Sequence, residues 1–600
     1  MISLQMNRRG PRNLHRQKVH LTNWRQTVRR VWQYLAVHRL QLGVVFLLTI
    51  VTTAVTVIGT RINGIVIDRY ITHSNVHMLL VVCGLMTVMY IIASIFTYFQ
   101  SAIVIKVAQS TSAEIRHDIF NQLKQLPMRY FDTHDNGDVM SRLTNDVDNI
   151  NTALMQTFVQ LFTGVISIIG MGIAMLVLSP LLTVLTLLGS VATYLFSRAV
   201  ARVTQRAFMT QQQALGSLNT QIEESVSGKQ VVQLFDHVVP TMATFEQTNQ
   251  QYTNAAFRAQ ALSSVIGPFN NMTNNVVYVL ITAVGAISIL SGQHFMTVGI
   301  IFTFLIYLRN FTGPINNLLD LINTLQLSLV SAERVFEVID EVPEKDAKDA
   351  VSVTQTRGEV TFDHVSFAYD QRLILKDVSL QAQPGQMVAL VGQTGAGKTT
   401  IMNLLTNLYP LQQGRVLLDN RDVTTIKRAD LRRLITVVQQ ESYLFTMSIR
   451  ENIRLGRPDA TDSDVERAAK QANAHTFISQ LPNGYDTQLT ENARDLSQGQ
   501  RQLLSIARAF VAEAPILVLD EATASIDSNT EADVQRAMTA LMADKTSFVI
   551  AHRLSTIQAA DQILVIDHGQ VIERGTHQSL LAAGGYYAQL YNSQFERVLN

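Results

Sequence analysis

The stretch Gly392-Gln393-Thr394-Gly395-Ala396-Gly397-Lys398-Thr399-Thr400 follows the apolar run Met387–Val391 and reads G-x-x-x-x-G-K-[ST]. A glycine-rich turn between a strand and a helix aims backbone N–H groups at phosphate oxygens, beside the positive end of the helix. In that setting Lys398 neutralises β and γ phosphates, and the Thr399 hydroxyl is placed to hold Mg²⁺. The chemistry these residues suit is that of ATP.

Five further residues fit the same chemistry. Ile516-Leu-Val-Leu-Asp520-Glu521 is an apolar run ending in adjacent carboxylates. Asp520 is placed to organise Mg²⁺ through water, and Glu521 is the natural general base for an attacking water. Surface acids after a strand are the plainer alternative. His552, after Thr546–Ile550 and Ala551, can touch a γ-phosphate, although a lone histidine there is otherwise packed or solvated. Gln440 follows Ile435–Val438 and can complete a Mg²⁺ and water shell, with Gln439 an equally polar neighbour. Tyr369 can stack on adenine, where a strand tyrosine otherwise packs.

These residues need a sheet to carry them. From Gly358 onward, short β-type runs alternate with helical patterns: Val360–Phe367, Met387–Val391, Ile435–Val438, Ile516–Leu519, Thr546–Ile550 and Gln562–Ile566. That alternation predicts an α/β domain with ligand loops at its strand ends. Upstream the composition changes. A helix needs ~20 apolar residues to cross hydrocarbon, and residues 40–67, 78–105, 157–178, 181–201, 272–291 and 298–316 meet that requirement. They hold no Asp or Glu. The long polar connections 106–156 and 202–271 carry Lys106, Arg116, Arg142, Arg206 and Lys229, which puts them on the cytoplasmic side. The acid-free N-terminus carries Arg8, Arg9, Arg12, Arg16 and Lys18 and falls on the same side. It reads as the flank of the first span, with an organellar presequence or a secretory n-region as alternatives. Leu21, Trp24, Val28, Val31, Trp32 and Leu35 recur there at helical spacing, which predicts a membrane-surface helix with its arginines toward headgroups.

The bulk numbers agree. Six hundred residues call for two or more domains. A net charge of +1 gives no reason to invoke nucleic acid, and the single cysteine, Cys83, excludes an intrachain disulfide framework. The expected division is a basic segment 1–39, a six-span region 40–328, a linker 329–357, an α/β domain 358–592 and a tail 593–600.

Taken together, the phosphate loop, Gln440, Leu496-Ser497-Gln498-Gly499-Gln500, LVLDEATAS and Ala551-His552-Arg553 resemble the nucleotide-binding domain of ABC transporters across 358–592. The upstream half is similar to the six-helix exporter domain of that superfamily. Phe131-Asp132, Gly137-Asp138, Ser141-Arg142-Leu143 and Asp146 look like its first cytoplasmic loop, and Glu223-Glu224, Gly228, Val232 and Phe235 like its second. Asp527 matches the loop that communicates between the two ATP sites. The resemblance implies a multidomain membrane protein: an all-α six-helix transmembrane exporter domain, then an α/β P-loop nucleotide-binding domain. It implies a half-transporter in the plasma membrane, with N-terminus and ATP domain cytoplasmic, that hydrolyses ATP with Mg²⁺. A dimer follows, because Leu496–Gln500 caps ATP held on a second subunit's phosphate loop.

The family usually has LSGGQ, and Gln498 replaces its first glycine. A backbone lying against a γ-phosphate leaves little room for a side chain, so the site this segment caps is expected to be slow or inactive. Lys398, Asp520, Glu521 and His552 are intact, which resembles the competent subunit of bacterial heterodimeric multidrug exporters. A homodimer tolerating Gln498 is the alternative. Tyr278, Phe302, Phe304, Tyr307, Phe311, Asn274, Asn275 and Asn310 suit hydrophobic, amphipathic or weakly cationic cargo, but such residues in membranes mostly pack, and none is assigned as a cargo contact. A lipid is the nearest rival cargo. From another class, a regulator that binds ATP without turnover is argued against by Glu521 and His552.

Overall fold

Transmembrane length and phosphate-loop geometry both follow from local chain chemistry, and the computed structural model shows how they are assembled. It describes residues 24–291, 296–440, 442–490, 493, 495–520, 528–551 and 553–595. The chain divides into two compact units. One runs to Lys124 and resumes over Asn136–Glu341; the other comprises Gln125–Asp135 and everything from Val342 onward.

The first unit is helical. Six apolar helices are long enough to cross a membrane, beginning at Arg39, Val76, Asn136, Pro180, Val238 and Val298, and are numbered here as spans 1 to 6. Several run far beyond the bilayer. Val76–Leu123 has 48 residues, about 72 Å at 1.5 Å per residue, against ~30 Å of hydrocarbon. Turns between spans are stopped by side-chain caps: Asn75 accepts from Met78 N, and Ser179 from Leu182 N with Pro180 opening the next helix. The shared core of spans 3 to 6 is built from Met171, Met175, Leu182, Ile281, Phe304 and Tyr307, all nearly inaccessible. Tyr307 donates its hydroxyl proton to Val57 O at 2.9 Å, tying span 6 to span 1.

Spans 1 and 6 also meet at their outer ends. Asp68, on a π-helical turn closing span 1, accepts from Gly299 N at 2.8 Å and from the Thr297 hydroxyl at 2.6 Å. It thereby satisfies donors at the start of span 6. The crossing requires glycine: a Cβ on Gly64 would overlap Thr303 and the Gly299 carbonyl, and one on Gly299 the Gly64 carbonyl.

The N-terminal helix Trp24–Ala36 forms where its periodicity predicts, with Leu21 outside the described residues. Trp24 and Trp32 are more than half exposed, as a surface helix requires. Arg30 departs from the expectation of arginines toward headgroups. Its guanidinium pairs with Asp340 and lies 4.3 Å from the Phe336 ring, while the Tyr34 hydroxyl donates to Asp118. In the first cytoplasmic loop, Arg334 pairs with Asp138 and Asp146, and Arg142 with Asp138 and Glu337, so the loop is anchored on the long helix of span 6.

The second unit holds two sheets. Strands are β1 Val360–Ala368, β2 Leu373–Ala382, β3 Met387–Val391, β4 Gln413–Leu418, β5 Arg421–Asp422, β6 Ile435–Val438, β7 Ile516–Asp520, β8 Thr546–Ile550, β9 Gln562–Asp567 and β10 Gln570–Gly575. The larger sheet has the order β10-β9-β3-β8-β7-β6, parallel except for β10. The smaller, β2-β1-β4-β5, is antiparallel. Its β2, β4 and β5, with β10, extend the strand set read from sequence. They are half-exposed and short or alternating, whereas the parallel strands are continuous apolar runs. One hydrophobic cluster packs the smaller sheet and the helix Lys398–Leu405; a second packs the helices Asp462–Gln471 and Gln498–Ala512. The segment 125–135 belongs with this unit through the short helix Met128–Thr133, whose Asp132 accepts the Tyr409 hydroxyl at 2.6 Å.

Candidate functional site

Parallel pairing in register brings several motif residues to one edge of the larger sheet. Leu390 pairs with Ile550 and with Leu564, Asp520 with Ile550, and Val438 with Leu519. The phosphate loop, Asp520, Ala551 and the Gln439-Gln440 pair therefore leave the sheet at its carboxyl ends, where open α/β sheets bind ligands. Both glutamines are exposed, so the ambiguity between them persists. Glu521 and His552 lie outside the described residues, as does Asp527.

The loop itself has the conformation that its glycines allow. Gly397 sits at φ +109°, and a side chain there would press on Leu375. Gly392 abuts the Ile566 carbonyl so closely that a Cβ would overlap it. The β9–β10 turn braces the loop from outside, with Gly569 N donating to Ala396 O at 3.1 Å. Gln393, Thr394, Gly395 and Thr399 are exposed, whereas Ala396, Gly397, Lys398 and Thr400 are buried.

Lys398 is 7% exposed, and its ammonium donates to Gly392 O at 2.7 Å and Gln393 O at 3.0 Å. Burial pushes its pKa below the ordinary lysine value, against the opposing pull of the Asp520 carboxylate. An ammonium resting on two carbonyls inside a glycine turn is the donor set a polyphosphate would draw on. Among the described residues, the pieces suited to a divalent cation are few and hard: the exposed Thr399 hydroxyl, the Asp520 carboxylate and the amide oxygen of exposed Gln440. No group of three or more His, Cys, Asp or Glu gathers as a metal cage among the described residues. Such a sparse oxygen set matches Mg²⁺, which keeps waters and shares substrate phosphates, better than a cation needing an all-protein cage.

Tyr369 is half-buried rather than free. Its hydroxyl accepts from Asn403 Nδ2 at 3.1 Å, and its ring meets Phe367 and Tyr409 edge-on at 4.9 Å each. The ring is thus held at the end of β1, beside the helix after the phosphate loop.

Leu496–Gln500 lies over the second hydrophobic cluster, and Leu496 and Gly499 are buried. Ser497 caps the helix Gln498–Ala512 in a reciprocal box: its hydroxyl accepts from Gln500 N at 3.2 Å, and Gln500 Oε1 accepts from Ser497 N at 2.9 Å. Gln498 is the first helical residue and is exposed, with no positive φ demanded of it. The fold itself therefore accepts glutamine there.

Two positioning residues escape sequence reasoning. Arg508, on the helix Gln498–Ala512, donates to Asn452 O at 3.0 Å and Tyr443 O at 3.2 Å, and fully buried Asn452 accepts from Phe445 N at 2.9 Å. Together they pin the segment after Gln440 to the helix that carries Ser497. An arginine on a helix face otherwise given to Leu504, Ala507 and Val511 was the available signal.

Comparison with known proteins follows the same division. Residues 42–315 match the ABC transporter transmembrane region, and residues 375–524 match the ABC transporter domain. The chain is 42% identical over 573 residues to an ABC transporter ATP-binding protein of Bacillus subtilis, covering 95% of this chain and 94% of that one. It is 40% identical over 503 residues to a fatty acid ABC transporter ATP-binding/permease protein of Mycobacterium tuberculosis, covering 84% and 79%. A bacterial Atm1-family ABC exporter with ATP bound shares the fold at TM-score 0.75 and 28% identity, covering 93% of this chain and 99% of that chain.

Proposed function

Because the chain belongs to the ABC transporter family, as an exporter half that couples ATP hydrolysis to transport across a membrane, we propose that it moves hydrophobic or amphipathic compounds of the multidrug type outward as one subunit of a heterodimer. Half-transporters of this build work as dimers within the membrane. The observation that carries the proposal is the separation of two half-sites within one chain. The phosphate loop rests on one hydrophobic cluster and the Ser497 helix on another, each with an exposed ligand side.

In this reading Lys398 releases the Gly392 and Gln393 carbonyls to meet β and γ phosphate oxygens. The exposed loop N–H groups orient the same phosphates, and Tyr369 stacks on adenine. Thr399, Asp520 and Gln440 would hold Mg²⁺ with its waters. A divalent cation held by these residues would supply positive charge that offsets the charge of the phosphates. Glu521 takes the proton of the attacking water, and His552 positions that water against the γ-phosphate. Leu496, Ser497, Gly499 and Gln500 close the second subunit's site, and Gln498 slows it.

A lipid-moving role is the second reading, favoured by the relative named for fatty acids. Purified chain with its partner, with and without Glu521→Gln, tests the core assignment. The variant should bind ATP normally while hydrolysis falls at least about a hundredfold, within the range general-base removal produces. Full turnover in the variant would refute it. Fast ATPase from the chain alone would remove the heterodimer.

A further inference from the structure

The six apolar runs read from the sequence carry three charged side chains, all arginines: Arg61, Arg198 and Arg309. Arg61 lies five residues from the end of the helix Arg39–Val66, and Arg198 lies near the cytoplasmic end of the fourth apolar run. Side chains so placed extend to an interface. Arg309 is placed differently. It lies eleven residues into the helix that starts at Val298, about 16 Å along the axis, near the middle of a ~30 Å hydrocarbon core.

No carboxylate forms an ion pair with Arg309 among the described residues, and the apolar runs contain none. Span 6 buries Phe304, Tyr307, Leu308 and Phe311 against its neighbours. Arg309 is exposed on the opposite side, seven residues from Phe302, which is 44% exposed and shares its face. Of the aromatic residues that suit cargo by type, Phe304, Tyr307 and Phe311 are core residues, as membrane aromatics mostly are. A guanidinium exposed at that depth of one subunit is costly toward lipid, so in the dimer its face belongs on the inward side, toward the partner subunit and a water-filled or ligand-filled path between them.

We propose that Arg309 is a cargo-recognition residue, and that the cargo is an amphipath with an oxyanion head, carboxylate or phosphate, on an apolar tail. The inference rests on the export reading above and narrows it. A planar guanidinium offers a fork of N–H donors matched to such heads, with Phe302 supplying apolar surface for the tail. Neutral and cationic amphipaths of equal length lack the matching acceptor charge.

The test measures binding of labelled palmitate, hexadecanol and hexadecylamine to the dimeric assembly in phosphatidylcholine nanodiscs, with empty discs as background. Palmitate should bind more tightly than either analogue, and Arg309→Ala should cost about tenfold to a hundredfold for palmitate alone. Arg309→Lys should keep part of the preference, and Arg309→Glu should transfer it to the amine. Competition by phosphatidate included in the discs would support the site and assign it to lipid phosphates; competition confined to palmitate would support it as a carboxylate site. Equal affinity for all three probes, an unchanged Arg309→Ala, or equal loss of all three would overturn the proposal. Arg309-dependent palmitate binding without ATP-driven movement of any amphipath would leave this proposal standing and remove the export reading. ATP-driven export without head-group discrimination would do the reverse.

Discussion

At the scale of single residues, the site depends on atoms that already have partners. The Lys398 ammonium is held by two loop carbonyls in a buried position, so nucleotide must compete for it. Its pKa lies below the ordinary lysine value because burial disfavours the charged form. For a depressed lysine the charged folded state is the penalised one, and the penalty disappears as pH rises through the folded pKa toward the model-compound value of 10.5. ATP affinity should therefore decline with alkaline pH earlier than an ordinary lysine would allow, and a Lys398→Arg variant that still binds should remain flat over that range. Titration of the dissociation constant with pH checks both. Gln498 poses the opposite case. It is exposed on the first turn of a helix that its neighbours already cap, so Gln498→Gly should cost at most about 1 kcal/mol of stability. ATPase at the second site should rise, and single-site turnover measured with an inactivated partner loop would show it; an unchanged rate would mean that glutamine is not limiting.

At the scale of elements, the informative contacts are those that join distant helices. Asp68 supplies the cap for the start of span 6 across more than two hundred residues of sequence. The Gly64–Gly299 crossing lets the backbones approach closely enough for it to do so. Gly299→Ala should destabilise the six-span unit by about 1–3 kcal/mol through forced separation, and Asp68→Ala by about 1 kcal/mol through the lost cap. Thermal unfolding in detergent would rank them, and a Gly299→Ala transition at the wild-type temperature would contradict the close packing. The short helix Met128–Thr133 shows the same principle in the other unit. Its motif is only Phe131-Asp132, yet Asp132 is fixed by Tyr409, almost three hundred positions away.

At the scale of the whole molecule, the first unit taken by itself carries an exposed apolar surface. The short helix Lys229–Leu234 and its flanks expose Val231 by 59%, Leu234 by 74%, Phe235 by 78% and Val239 by 79%. Apolar residues gathered at a polar loop tip mark a binding surface. Phe235→Asp should weaken subunit assembly and lower ATPase severalfold without unfolding the chain, as size-exclusion chromatography and turnover would show. The parts legible in the sequence were those set by local chemistry. Runs of apolar residues matched to bilayer thickness announced six spans, and short apolar strands alternating with helical patterns announced an α/β domain with ligand loops at its strand ends. Glycines at the phosphate loop announced a turn that side chains would obstruct. The order of residues along the chain determined that it joins a membrane region to an ATP domain, because helix length, strand burial and turn geometry depend on near neighbours. Which polar atoms satisfy one another was decided by tertiary structure. So were the side of span 6 that leaves Arg309 uncovered and the pairing of Arg30 with Asp340 instead of lipid headgroups. Those outcomes depend on packing between segments hundreds of residues apart, and no periodicity in the chain records it.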